Sequence, residues 1–126
     1  MAQDAVIRQY VYETESWGRF LAFFRQENVY FKTRLAETVN NSSDTDALDT
    51  AERFHEEFLS QDGMISFLSD ELRKQTKLLE RDLYEDGELF KEVIQNQKKL
   101  RKDIKKAEDL FAKVKNEFGE YLSDSS

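Results

Sequence analysis

Along the last third of the chain, apolar residues recur at alternating intervals of three and four. Phe90, Val93, Gln97, Leu100, Ile104, Ala107, Phe111, Val114, Phe118 and Tyr121 keep this spacing with one polar member, Gln97. Because 3.6 residues make a helical turn, these positions fall on one face of a helix. A pattern sustained over more than four heptads predicts a long helix over 88–122 that packs lengthwise against others.

Two further helices follow from the same periodicity. Trp17, Phe20, Leu21, Phe24, Phe31 and Leu35 share a face and predict a helix over 13–40. The run Asn40-Asn41-Ser42-Ser43-Asp44 breaks it, since these side chains hydrogen-bond their own backbone and favour turns. Ala51, Phe54, Phe58, Ile65, Leu68, Leu72, Leu79 and Leu83 then predict a helix over 46–84, with Asp44, Thr45 or Asp46 as its cap. Gly63 follows Asp62 within that run, a combination that often marks a turn. Phe58, Ile65, Leu72 and Leu79 nevertheless stay seven apart across it, so Gly63 reads as a residue inside the helix. At Glu85-Asp86-Gly87-Glu88 two readings stand. A glycine just past a helix end with an acid opening the next helix predicts a hairpin. The phase from Leu79 through Leu83 to Phe90 also fits one continuous helix, but that would exceed about 100 Å and need a partner along its length.

The resulting expectation is an all-α fold, an antiparallel bundle of three long helices with coiled-coil-like packing, forming a single domain over 1–126. Counting outward from the loops sets Leu72, Leu79 and Leu83 near Phe90 to Leu100, and Phe54 and Phe58 near Phe111 to Phe118. The same count sets Gln97 level with Gln75, Thr76 and the neighbourhood of Tyr10. Either the three elements share a polar layer there, or Gln97 faces a hydrated bundle end.

Composition narrows the function classes. The chain has 126 residues, no proline, no cysteine and four glycines, so built-in helix breakers are few, and disulfides, zinc ribbons and thiol catalysis are excluded. Ten Phe, five Tyr and one Trp set it apart from a disordered chain of similar charge. No stretch is apolar over the roughly 18 to 20 residues that span a bilayer, and Met1 to Tyr12 does not read as a signal peptide. A cytoplasmic protein is the expectation. The net charge of −7 is uneven: residues 44–72 hold nine acids against Arg53 alone, and 73–106 hold eleven bases against seven acids.

Three constellations bear on chemistry. Glu52 and His55 form a Glu-x-x-His, the spacing that sets a carboxylate and an imidazole on one helical face in di-iron bundles. Such a site needs a second motif and two more glutamates, and His55 is the one histidine, so only a symmetric dimer would complete it. The bland reading is a histidine packing edge-on at the seam. Lys98, Lys99, Lys102, Lys105 and Lys106 form a basic face on the third helix, with Arg73, Lys74, Lys77 and Arg81 at a similar level on the second. It suits a polyanion or nucleic acid, or else pairs with acids such as Asp70, Glu71, Glu80 and Asp82; no aromatic is interleaved for base stacking. Phe23 and Tyr30, with Tyr12, lie beside the main stripe of the first helix. Left exposed, they would mark a contact with a second copy and hence a homodimer; alternatively the first helix is sandwiched and buries both stripes. With no phosphate-binding loop and no sizeable pocket expected, neither enzyme activity nor a small-molecule substrate or cofactor is anticipated. The leading reading is a protein–protein interaction or oligomerisation module.

The segment Gln26-Glu27-Asn28-Val29-Tyr30-Phe31-Lys32-Thr33-Arg34-Leu35-Ala36-Glu37, with Asn96-Gln97-Lys98-Lys99-Leu100-Arg101-Lys102, resembles small uncharacterised helical proteins of Bacteroidetes-type bacteria. The resemblance covers most of the chain and implies a bacterial, cytoplasmic origin. It carries no activity.

Overall fold

A computed structural model describes residues 2–41 and 44–125. It contains three helices, α1 (Ala2–Asn40), α2 (Thr45–Leu79) and α3 (Gly87–Ser125), packed as an antiparallel all-α bundle. At 1.5 Å per residue the longer helices span about 58 Å. The hairpin reading of residues 85–88 holds, and one continuous helix is excluded.

The boundaries differ from expectation most in two places, and α3 also continues past the expected end at Leu122, to Ser125. The first helix begins at Ala2 rather than Glu13, because Ile7 and Tyr10 extend its inward face onto Leu79, Leu83 and Val93 at one end of the bundle. The second helix stops at Leu79 rather than Tyr84. Glu80 caps it with its backbone N–H on the carbonyls of Lys77 and Leu78, and Leu83 folds back from the loop to close the core end. Nor does Gly87 end a helix in the left-handed region. Asp86 caps α3: its carboxylate accepts the Leu89 N–H at 3.1 Å and its carbonyl the Phe90 N–H at 3.0 Å, so Gly87 is the first residue inside. At the other loop Asp44 caps α2 by accepting the Asp46 N–H at 3.0 Å. Gly63 lies within α2, as its preserved phase predicts.

The core is three apolar compartments stacked along the bundle. Leu79, Leu83 and Val93 form one, with Phe90 against them. Leu21, Ile65, Leu68, Leu72, Leu100, Ile104, Ala107 and Phe111 form the middle one. The third is aromatic: the Phe118 ring meets Phe54 at 5.3 Å and Phe58 at 5.1 Å, both edge-on, a favoured geometry for ring quadrupoles. These are the neighbours that counting outward from the loops assigns, with Phe111 in the middle compartment.

Two polar layers interrupt that stack. In the first, Gln75 and Gln97 are fully buried, and Gln75 Nε2 donates to Gln97 Oε1 at 3.0 Å and to the Val93 carbonyl at 2.9 Å. Gln97 Nε2 reaches the Glu13 carboxylate at 3.2 Å and the Tyr10 carbonyl at 3.4 Å. The hydrated-end reading of Gln97 is therefore excluded. Thr76 is not a member, because its hydroxyl donates to the Leu72 carbonyl of its own helix. The second layer was not anticipated. Asn28 is buried and donates to the Phe58 carbonyl and to Asp62 Oδ1, both at 2.8 Å, while Gln61 Nε2 donates to Asn28 Oδ1 at 2.9 Å. Lys32 closes it on Asp62 Oδ2 at 2.6 Å. Each of these side chains gains at least one partner, which is what makes polar atoms tolerable at this depth, while Gln61 Oε1 is buried without one.

Candidate interaction surfaces

Opposite its buried stripe, α1 exposes Tyr12, Phe23 and Tyr30 at 63%, 57% and 59% of their surface. The reading in which α1 is sandwiched and buries both stripes is thus excluded. Two of these rings, Phe23 and Tyr30, are anchored from below. Phe23 stands edge-on to Phe24 at 5.6 Å, Phe24 packs on Phe111 at 4.8 Å, and Tyr30 lies 6.0 Å from Phe31, which stacks on Phe58. An exposed ring held by half-buried neighbours loses little freedom on contact, the property that makes aromatics effective at interfaces.

The basic face of α3 is solvent-facing at all five positions, Lys98, Lys99, Lys102, Lys105 and Lys106. Where its charges are paired, they are paired along the helix rather than across the bundle. Lys99 pairs with Asp103 at 3.2 Å and Lys105 with Asp109 at 3.1 Å. Asp70 and Glu71, expected to reach these lysines, are engaged by Arg73 and Lys74 of their own helix at 2.8 and 3.3 Å. Among the described residues no carboxylate lies within ion-pair distance of Lys98, Lys102 or Lys106. The three stand at successive i, i+4 steps, where like charges repel.

Two ion pairs tie α3 to α1. Arg101 grips Glu13 through two nitrogens, at 2.7 and 3.1 Å, and Lys115 meets Glu27 at 2.9 Å. Burial by itself raises the Glu13 carboxyl, but the hydrogen bonds from Arg101 and Gln97 and the Arg101 charge outweigh it, leaving the pKa below the ordinary carboxylate range. The same balance holds at Asp62, where burial is outweighed by the hydrogen bonds from Lys32 and Asn28 and by the nearby Lys32 and Arg25 charges.

Glu52 and His55 border an open, largely apolar groove of about 370 Å³ between α1 and α2, shared with Leu35, Val39 and Leu48. The imidazole is exposed rather than packed at the seam, because Ala51, Phe54 and Phe58 take the inward positions. Among the described residues no three His, Cys, Asp or Glu side chains gather closely enough to hold an ion.

A surface not singled out from sequence lies on the outer side of α2. Leu59 and Phe67 expose 51% and 54% of their surface, on either side of Gly63. Their signal was present as two large apolar residues eight apart, both off the main stripe. Among the described residues no helix is long and apolar enough to cross a membrane. Comparison with protein-family models, with curated proteins and with solved structures gave no match.

Proposed function

We propose that this protein is a non-enzymatic helical-bundle module that acts through its outer surfaces, and that it self-associates through α1. The observation that carries this reading is the row Tyr12, Phe23 and Tyr30, more than half exposed, with Phe23 and Tyr30 backed by the partly buried rings of Phe24 and Phe31. Large apolar groups presented in line along a helix favour contact with a complementary surface. The commonest complement is the same surface of a second copy about a two-fold axis.

Sedimentation equilibrium at tens of micromolar tests it. The wild type is expected to be dimeric or larger, and Phe23→Glu with Tyr30→Glu to weaken association at least about tenfold, since burying one unpaired charge costs more than 1.4 kcal/mol. A wild-type monomer at that concentration sinks the proposal.

A second reading, polyanion binding along α3, is favoured by the unpaired row Lys98, Lys102 and Lys106. It expects salt-dependent retention on heparin that disappears when Lys98, Lys102 and Lys106 become Glu. No retention at low salt removes it.

A further inference from the structure

Gly63 is unexplained by the fold. It lies within α2, is exposed, has no left-handed φ, and an added Cβ would meet no atom within 4 Å. Nothing inside the chain requires glycine there, and a helix interior disfavours it. What its missing side chain does provide is room for a second backbone to approach from outside.

The residues around it are arranged symmetrically. Leu59 and Phe67 stand four residues to either side, about 6 Å along the axis, both half exposed. Glu52 and Lys74 stand eleven residues to either side, and Asp49 and Lys77 fourteen, all exposed. The signs invert about Gly63, with acids on the N-terminal side and bases on the C-terminal side. Among the described residues no opposite charge lies within ion-pair distance of Asp49, Glu52 or Lys77, and Lys74 holds Glu71 only at 3.3 Å on the surface.

We infer that the outer face of α2 is a second self-association surface, on which two copies of α2 cross antiparallel about a two-fold axis at Gly63. In that register each Leu59 meets the partner's Phe67, each Glu52 the partner's Lys74 and each Asp49 the partner's Lys77. The glycines meet at the axis and let the backbones close. Two like-charge pairs share that register: Glu56 with the partner's Asp70, which brings Arg73 with it at 2.8 Å, and Arg53 with the partner's Arg73 at the edges of the face. A second copy is the occupant because an antiparallel α2 presents the complementary charges at these spacings. An isologous contact requires this self-complementarity. The surface is separate from the Tyr12–Phe23–Tyr30 row of α1, so a chain using both would assemble beyond a dimer.

Sedimentation in a Phe23→Glu, Tyr30→Glu background reads the α2 contact alone. There, Glu52→Lys or Lys74→Glu is expected to weaken association at least about fivefold, each change turning two attractive pairs into repulsive ones. Combining the two restores affinity to within about twofold. Gly63→Ala raises the melting temperature of the dilute chain while weakening association, a pair of effects that an intramolecular role would not produce. Because the chain has no cysteine, Gly63→Cys reports the axis directly, with oxidation giving a covalent dimer. A monomer at about 100 µM in this background, single charge reversals without effect, or a Gly63→Cys chain that associates without cross-linking each overturn the α2 contact. A wild type that still dimerises through Phe23 and Tyr30 would leave the α1 reading standing.

Discussion

Asn28 illustrates how one residue couples two helices. Its amide spans the gap from α1 to α2, giving both donors to acceptors on α2 and accepting a hydrogen bond from Gln61 Nε2 in return. Truncation leaves Gln61 Nε2 and Asp62 Oδ1 each short of a partner at a depth where water does not easily replace it. Asn28→Ala is therefore expected to destabilise the protein by about 2 to 3 kcal/mol in urea unfolding. A loss below about 0.5 kcal/mol would show that the layer adds nothing to stability. Asn28 occupies a position in the α1 stripe where periodicity alone suggests a gap. The Gln97 layer was legible because its polar member broke an otherwise apolar heptad. Asn28 interrupted a stripe already mixed with polar residues, so it left no comparable mark.

At the scale of the element, helix length depends on caps as much as on periodicity. Asp86 serves α3 by taking the Leu89 N–H and by placing a carboxylate at the positive end of the helix. Asp86→Ala should cost about 1 kcal/mol. The change should also speed amide exchange of residues 87–90 ahead of the rest of α3; uniform exchange would show that the cap is dispensable. The α2–α3 turn was hard to place from sequence for a definite reason. Leu79, Leu83, Phe90 and Val93 stay in helical phase straight through it, so the apolar pattern does not register that the chain reverses. Leu83 kept the phase of a helix while belonging to the loop, where it closes the core. The start of α1 was hidden differently. With Thr14 in the buried stripe and Ile7 and Tyr10 alone before it, the first turns carry too few apolar positions to signal a helix. The exposed row of α1 was legible because Phe23 and Tyr30 are seven apart, whereas Leu59 and Phe67 were masked by the stronger stripe beside them.

For the whole molecule, the arrangement of α1 against α3 relies on few contacts distant in sequence, and Glu13 with Arg101 is prominent among them. The depressed Glu13 pKa links that arrangement to pH, and the depressed Asp62 pKa does the same for α1 against α2. A carboxylate whose folded pKa lies below its unfolded one adds stability that is fully present above the unfolded value. That stability is lost as pH falls through the folded value. The melting temperature is therefore expected to hold through neutral pH and fall on acidification below about pH 4. Glu13→Gln should flatten part of that acid limb, and an unchanged limb would mean the pair is too solvated to contribute.

The length of the helices also governs how the molecule moves through solvent. Two rods of about 58 Å and one of about 52 Å, each roughly 10 Å across, give a body two to three times longer than wide. Friction on such a body exceeds that on a sphere of equal mass, so a single copy elutes from a sizing column ahead of compact proteins of its weight. Elution volume alone would credit it with a partner, and the stoichiometry of both helix faces must be read from mass, by sedimentation equilibrium or light scattering.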